Sequence, residues 1–160
     1  MWYSMDWPSP LGELFALSDG RSLVGLWFEG QRKRLPHPNE CVRRAALPIF
    51  REMERWLENY FMGKDPGPIP AAAPSGTAFQ EAVWAQLRDI PYGKTVTYGA
   101  LASRFTRPMS AQAVGGAVGR NPISILIPCH RVVGADGTLT GYAGGLWRKE
   151  ALLKLEGSLI

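Results

Sequence analysis

Residue types that build metal centres and disulfide frameworks are scarce in this chain. It has two cysteines, Cys41 and Cys129, and two histidines, His37 and His130, with no CxxC or HxxxH spacing among them. Structural zinc sites use four such ligands at close spacing, so the sequence predicts no metal site. In a chain that we expect to be cytosolic, the two cysteines are predicted to be free thiols, because that compartment keeps thiols reduced.

Long apolar runs are also missing. None approaches the roughly 18 residues that a membrane-spanning helix needs. The first residues, Met1–Asp6, have neither the basic nor the apolar region of a signal peptide. We therefore expect no membrane association and a cytoplasmic location. Hydrophobic residues make up 46% and charged residues 20% of the chain, which is typical of a globular protein.

The net positive charge is confined to one half of the chain. Residues 1–76 carry nine Lys/Arg and nine Asp/Glu, whereas residues 77–160 carry nine Lys/Arg against five Asp/Glu. The whole net charge of +4 therefore belongs to the second half. Such an excess is expected of a domain that binds a polyanion, although ordinary surface charge also explains a value this small.

Proline and glycine mark the boundary between two predicted domains. They cluster at 63–76, where proline stiffens the chain and favours an extended connector. We therefore predict a first domain over 1–76, including this connector, and a second over 77–160.

The first domain is predicted to be a small sheet with one helix. Short β-type runs at Trp2–Trp7, Glu13–Ser18 and Leu23–Phe28 are separated by turns that contain glycine. In Ala45–Phe61 the apolar residues recur at intervals of three and four, which predicts an amphipathic helix. No residue of this domain carries recognisable chemistry, so we interpret it as a scaffold. The apolar helix residues are Ile49, Met53, Trp56, Leu57, Tyr60 and Phe61.

The second domain is predicted to be mainly helical. Thr77 is a predicted cap for a helix that runs through Leu87 and stops before Ile90–Gly93, since proline and glycine break helices. A β-branched run, Thr95–Thr97, follows. The helix predicted at Tyr98–Phe105 comes next.

A turn at Thr106–Pro108 leads to a second short helix, Ala111–Gly119, which Ser110 caps. Two short helices across a tight turn, the second poor in bulky side chains, fit a DNA-binding helix-turn-helix. Small residues at this spacing also fit close helix packing, and this pattern by itself leaves both interpretations open.

A cysteine directly follows an apolar segment. Ile123–Ile127 is predicted to be a buried strand or extended segment that Pro128 ends, and Cys129 and His130 come next. One interpretation is a thiolate nucleophile favoured by the adjacent basic group, which would hold the pKa of Cys129 below its usual value near 8.5. The other is a buried, inert cysteine beside a polar neighbour.

The surrounding motifs resemble the O6-alkylguanine-DNA alkyltransferases. The similarity runs from Phe79 to about Gly157, half of the chain, with many matches in one order. The matching motifs are Phe79-Gln80, Val83-Trp84, Ile90-Pro91-Tyr92-Gly93, Thr97-Tyr98-Gly99, Ala113-Val114-Gly115-Gly116, Asn121-Pro122, Ile127-Pro128-Cys129-His130-Arg131-Val132-Val133, Gly137, Gly141-Tyr142, Gly144-Gly145-Leu146 and Lys149 to Glu156.

The resemblance implies DNA repair by a protein that acts once. Cys129 would accept the alkyl group of O6-alkylguanine, or O4-alkylthymine, irreversibly, as in a methylated-DNA–protein-cysteine S-methyltransferase. His130 would act as a base through water and Glu156 would orient it. Tyr98 would protonate the departing guanine. Asn121 would tie the recognition helix to the reactive segment; by itself the residue is also a candidate C-cap of that helix, and the two roles are compatible. No cofactor is implied.

The resemblance also implies contacts with double-stranded DNA. The alkylated base would be rotated out of the duplex, while a helix of small residues presses into the minor groove. A monomer is expected, with cooperative assembly on DNA left open. The residues implied in DNA binding are Thr95, Tyr98, Arg107, Gln112, Ala113, Gly115, Gly116 and Arg120.

The implied substrate pocket is walled by Tyr142, Ala143, Gly144 and Gly145. Two positions depart from the family pattern. Gln112 stands where relatives usually place an arginine that supports the flipped base, and Ala143 stands where serine is frequent. Gln112 lacks the positive charge with which an arginine would assist extrusion of the base. Ala143 lacks the hydroxyl that would form a hydrogen bond to O6 of guanine.

Three other functions remain as alternatives. An alkyltransferase-like protein would bind the lesion without transferring the alkyl group, but members of that class lack the reactive cysteine. A cysteine hydrolase would need an oxyanion hole, and no glycine-rich nucleophile turn accompanies Cys129. A helix-turn-helix regulator would need an extended basic region and a dimer interface, neither of which is evident.

Overall fold

The computed structural model describes residues 1–31, 41–107 and 109–159. They form two compact units, Met1–Ser75 with Pro122–Ser124, and Gly76–Asn121 with Ile125–Ile160. The division into domains 1–76 and 77–160 stays a prediction. His37 and Pro108 lie outside the described residues, as does part of the turn predicted around Pro108. In the described part of the chain, no helix is long and apolar enough to cross a membrane.

The first unit contains a four-stranded sheet. Strands β1 (Trp2–Ser9), β2 (Gly12–Ser18) and β3 (Leu23–Phe28) confirm the three predicted runs, and the structure shows that they are antiparallel neighbours. A fourth strand, β4 (Cys41–Arg43), pairs in parallel with β1, so that the order is β3-β2-β1-β4. The sequence analysis missed β4 because three residues are too few to show a period.

Helix α1 (Pro48–Phe61) contacts β1 in the same unit. It begins three residues later than predicted because Leu47, which precedes the proline, is extended with ψ 139°. One face of the helix is buried, and each large apolar side chain there contributes roughly 1.5–3 kcal/mol. Phe61 stacks on Trp7 with 6.0 Å between ring centroids. The buried residues are Ile49, Phe50, Met53, Trp56, Leu57 and Tyr60.

The second unit is mainly helical, as predicted. Helix α2 (Ala78–Arg88) begins at the predicted cap, where Thr77 and Gln80 form a reciprocal capping box. Two short parallel strands, β5 (Val96–Thr97) and β6 (Val132–Val133), pair with each other. Helix α5 (Leu146–Leu155) follows them in the chain.

The helix-turn-helix region consists of α3 (Tyr98–Ala102) and α4 (Ala111–Gly119), which pack against each other. Helix α3 is three residues shorter than predicted. The hydroxyl of Ser103 donates to the carbonyl of Ala100 and so competes with continuation of the helix. Helix α4 has the predicted bounds, and the hydroxyl of Ser110 accepts from the amide of Ala113 at 3.0 Å.

The segment before the cysteine is buried, as predicted, but it is neither the strand nor the extended segment predicted at Ile123–Ile127. Only Ile123 forms an isolated β-bridge, and 124–126 is a turn in which Ile125 has φ 70°. That conformation is rare for a β-branched residue and is strained. The whole segment is buried, so its continuous apolar character reflects burial rather than strand periodicity.

Candidate active site

Cys129 lies in a short 3₁₀ helix, Cys129–Arg131, directly after the buried turn. It is a free thiol with 8% of its surface exposed. Burial raises the pKa of the Cys129 thiol, whereas a hydrogen bond from the side chain of Asn121 and the positive charge of Lys149 act in the opposite direction. The prediction that the pKa lies below its usual value is therefore wrong for the protein without DNA, because burial disfavours the thiolate more than its neighbours favour it.

His130 and Glu156 form a buried pair. Nε2 of His130 lies 2.6 Å from Oε2 of Glu156, and both side chains are inaccessible to solvent. The other ring nitrogen, Nδ1, is buried and has no hydrogen-bond partner among the described residues. The two groups that the resemblance implied as a relay thus lie in direct contact, and one histidine nitrogen is left to accept a proton.

Arg131 holds the second oxygen of the same carboxylate, which the sequence analysis did not anticipate. Its Nε donates to Oε1 of Glu156 at 2.7 Å, and one terminal nitrogen donates to the carbonyl of Ile90 at 2.7 Å. The amide of Gly93 also donates to Oε1, at 3.3 Å. The residues next to Arg131 in the sequence gave no indication that it is buried, and only the folded chain brings it to Glu156.

The pKa values set the protonation states of this network. Burial raises the pKa of Glu156, but the hydrogen bonds from His130 and Arg131 and the positive charge of the Arg131 guanidinium outweigh it and lower the pKa to about 2. Burial lowers the pKa of His130. At neutral pH the site therefore holds a carboxylate, a neutral imidazole that donates from Nε2, and a protonated thiol.

Acidification is expected to destabilise the protein through His130. Because its pKa is lowered from 6.5 in the folded state, the unfolded chain binds this proton first. The contribution to the free energy of unfolding is complete above about pH 6.5 and falls below it, by at most about 1.4 kcal/mol per pH unit. Urea unfolding between pH 7 and pH 5 measures this slope.

His130→Asn should flatten that slope, whereas His37→Asn, which changes the other histidine, should preserve it. Equal slopes in the two variants would contradict this assignment.

Tyr98 lies at the start of α3 among groups from distant parts of the chain. Its hydroxyl accepts from the hydroxyl of Thr140 at 3.2 Å, and Nζ of Lys149 lies 5.9 Å from its ring centroid. Nζ of Lys149 also donates to the carbonyl of Thr140 at 2.8 Å. Lys149 is fully buried, and the sequence analysis assigned a role to neither Lys149 nor Thr140, because a lone lysine in a helix is usually exposed.

Asn121 connects the end of α4 to the reactive segment. Its side-chain amide donates to the carbonyl of Ile127 at 2.8 Å, and Asn121 is buried. The C-cap position of α4 is occupied by Arg120 and not by Asn121, so the second role predicted for Asn121 is not observed.

The predicted DNA-binding residues are mostly exposed. On α4, Gly115 is half-buried: a Cβ atom there would lie 3.6 Å from the Tyr98 ring. A Cβ at Gly116 would lie 3.7 Å from a guanidinium nitrogen of Arg120. Both distances correspond to ordinary van der Waals contacts, so the small residues matter mainly because they leave the backbone of α4 accessible. The exposed residues are Thr95, Arg107, Gln112, Ala113, Gly116 and Arg120.

The predicted pocket residues form a turn before α5. The amide of Gly145 donates to the carbonyl of Tyr142 at 2.8 Å, and Gly145 has φ 95°, which favours glycine. Gly144 is buried and its carbonyl accepts from Arg148 at 3.0 Å, whereas Ala143 is exposed. Among the described residues, no group of three His, Cys, Asp or Glu could hold a metal ion.

Comparison with known proteins identifies two family models along the chain. Residues 78–158 match the DNA-binding domain of 6-O-methylguanine DNA methyltransferase, and residues 3–67 match its ribonuclease-like domain. The methylated-DNA–protein-cysteine methyltransferase of Salmonella typhimurium is 59% identical over 95% of this chain and 94% of its own length. The protein of that name from Haemophilus influenzae is 48% identical over 96% of this chain and 86% of its own length.

Solved structures agree with the sequence relatives. The O6-methylguanine methyltransferase of Mycobacterium tuberculosis has a TM-score of 0.87 and is 40% identical, covering 100% of this chain and 95% of that one. A structure of the Mycobacterium tuberculosis protein in complex with DNA has a TM-score of 0.85 at 40% identity, covering 98% and 92%. The chain described here belongs to the 6-O-methylguanine DNA methyltransferase family.

Proposed function

We propose that this protein repairs double-stranded DNA by transferring the alkyl group of O6-alkylguanine, or of O4-alkylthymine, to Cys129. The relatives' name, methylated-DNA–protein-cysteine methyltransferase, describes this type of transfer. The observation that supports it most directly is the network beside the cysteine, in which Glu156 holds His130 and leaves a buried imidazole nitrogen to take up a proton. Water does not reverse the resulting thioether, so each molecule acts once.

Nucleophilic attack requires that the buried thiol lose its proton. The proton passes through a water molecule to Nδ1 of His130, and the carboxylate of Glu156 stabilises the imidazolium that forms. The Asn121 amide and the charge of Lys149 favour the thiolate at the same moment. Burial keeps the thiol protonated until then, which protects it from other electrophiles.

When the carbon–O6 bond breaks, the departing guanine needs a proton from a donor other than His130. We assign this role to Tyr98, whose hydroxyl lies at the start of α3. Since Tyr98 and the Cys129 network provide the acid and the base, the proposed reaction uses no cofactor.

DNA would be bound by the exposed residues of α4 and by basic groups near it. Gln112, Ala113 and Gly116 would approach the minor groove, while Arg107, Arg120 and the backbone near Thr95 contact phosphates. The alkylated base is rotated out of the duplex. Gln112 can hydrogen-bond the orphaned base but lacks the charge of an arginine. A monomer suffices for this arrangement.

The flipped base would be held by the turn from Tyr142 to Gly145. Glycine at 144 and 145 permits close approach of the backbone, and Ala143 provides no hydroxyl for O6. Cys129 itself favours alkyl transfer over lesion binding alone. A cytoplasmic location fits this activity, because Cys129 must remain a reduced thiol.

Mass spectrometry of the intact protein tests the proposal. Incubation with an excess of duplex DNA that contains O6-methylguanine should add one methylene mass per protein molecule and then stop. The peptide that contains Cys129 should carry the modification, and Cys41→Ser should react like the wild type. Turnover beyond one equivalent, or methylation of Cys41 alone, would overturn the proposed function.

A further inference from the structure

We propose that Thr140 is a positioning residue for the leaving-group proton: its hydroxyl orients Tyr98 and stabilises the phenolate that forms as guanine departs. This inference rests on the proposed function, because it concerns the proton that the departing base takes up. Its main support is the 3.2 Å hydrogen bond from Oγ1 of Thr140 to the hydroxyl oxygen of Tyr98.

The position of Thr140 is set by a buried group. Its carbonyl accepts from Nζ of Lys149 at 2.8 Å, and Lys149 is fully buried in α5. The side chain of Thr140 is exposed, so nothing in its burial requires a threonine rather than another residue at this place. The hydroxyl of Thr140 is the group that contacts Tyr98.

Tyr98 is enclosed by three groups. Besides the Thr140 hydroxyl, Nζ of Lys149 lies 5.9 Å from the ring centroid, and Gly115 on α4 lies beside the ring, where an added Cβ would be 3.6 Å from it. A phenol that accepts a hydrogen bond from Thr140 has its own proton available for another acceptor. The hydrogen bond from Thr140 thus leaves the Tyr98 proton available for a bound base.

The chemical step balances with these groups alone. Sγ of Cys129, after its proton has passed to His130, forms a bond to the alkyl carbon while the carbon–O6 bond breaks. The electron pair remains on guanine, which takes the proton of Tyr98. The phenolate then regains a proton from the imidazolium through solvent. In the interval, the Thr140 hydroxyl and the Lys149 ammonium stabilise the negative charge on Tyr98.

Single-turnover kinetics with a set of variants tests this role. Thr140→Val, which keeps the shape and removes the hydroxyl, should slow methyl transfer from duplex O6-methylguanine roughly 10-fold, the effect of losing one hydrogen bond to a developing charge. Thr140→Ser should restore the wild-type rate. Thr138→Val is the matched control, because the Thr138 hydroxyl lies in the same loop but bonds Asp136.

Two further measurements distinguish proton positioning from a general effect on structure. Methylation of Cys129 by iodomethane releases iodide, which needs no proton, so Thr140→Val should not change that rate. In a Tyr98→Phe background, Thr140→Val should cause no additional loss, since both residues act on the same proton.

The proposal is overturned if Thr140→Val transfers methyl at the wild-type rate, if the iodomethane reaction slows equally, or if the effect persists in Tyr98→Phe. An unaltered rate in Tyr98→Phe itself would also overturn it. A wild-type protein that transfers no methyl group would refute the proposed function as well, whereas a normal wild type with an unaffected Thr140→Val variant refutes this inference alone.

Discussion

Replacing Cys129 by serine is expected to abolish alkyl transfer. The rate should fall by at least about 10⁴-fold, which is the usual effect of removing a catalytic nucleophile. A serine hydroxyl is far less acidic than a thiol, so the neutral imidazole of His130 cannot generate an equivalent nucleophile from it. The substitution is nearly isosteric, and Cys129 is buried, so the surrounding site should keep its shape.

DNA binding should survive the same substitution. The substitution replaces one atom in the buried site and leaves the exposed residues of α4 unchanged. Cys129→Ser should therefore bind duplex DNA that contains O6-methylguanine with an affinity close to that of the wild type. Transfer of a labelled methyl group and fluorescence anisotropy measure the two properties separately. Cys41→Ser is the matched control and should retain both. Methyl transfer by Cys129→Ser would show that another residue accepts the alkyl group.

Glu156→Gln is expected to lower both the rate and the stability. Glutamine can still accept a hydrogen bond from His130, but it offers no charge to the imidazolium, so transfer should slow by about 10²-fold. Arg131 then loses its buried counterion at 2.7 Å, and removal of one partner of a buried pair costs about 3–5 kcal/mol. Single-turnover kinetics below the unfolding transition and urea unfolding measure the two effects.

Glu150→Gln provides the control on the same helix. Glu150 pairs with Lys154 at 3.0 Å across one turn of α5, and both side chains are about half exposed. Such a pair contributes less than about 1 kcal/mol, so this variant should keep its rate and nearly all of its stability. If Glu156→Gln transferred methyl at the wild-type rate, Cys129 would have to be activated without the histidine relay.

The difference between the predicted and observed pKa of Cys129 has a functional meaning. Adjacent basic residues in the sequence suggested a thiolate, yet the folded protein buries the sulfur, and burial raises the pKa. The basic neighbour is itself neutral, because burial lowers the pKa of His130. We therefore expect activation to occur with the lesion bound, when the proton moves along the Cys129–His130 pair.

Local pattern alone was enough to predict most of the elements. The short β-type runs and glycine turns of β1 to β3, the intervals of three and four in α1, and the caps at Thr77 and Ser110 depend on neighbouring residues only. The reactive run Pro128–Arg131 was recognisable for the same reason, since its members are consecutive. The family followed from many short motifs in one order.

Only the tertiary structure decided what surrounds these residues. The segment predicted at Ile123–Ile127 as a strand or extended segment contains a turn. A fully buried apolar segment shows no periodic hydrophobic pattern, so the sequence cannot distinguish a strand from a turn there. Arg131, Lys149 and Thr140 entered the site through contacts with residues up to 42 positions away in the chain. Protonation depends on burial and on such distant charges, neither of which is a property of a local run of residues. The sequence was therefore sufficient to identify Cys129 as the nucleophile. The protonation state of Cys129 and the residues around it are determined by tertiary packing.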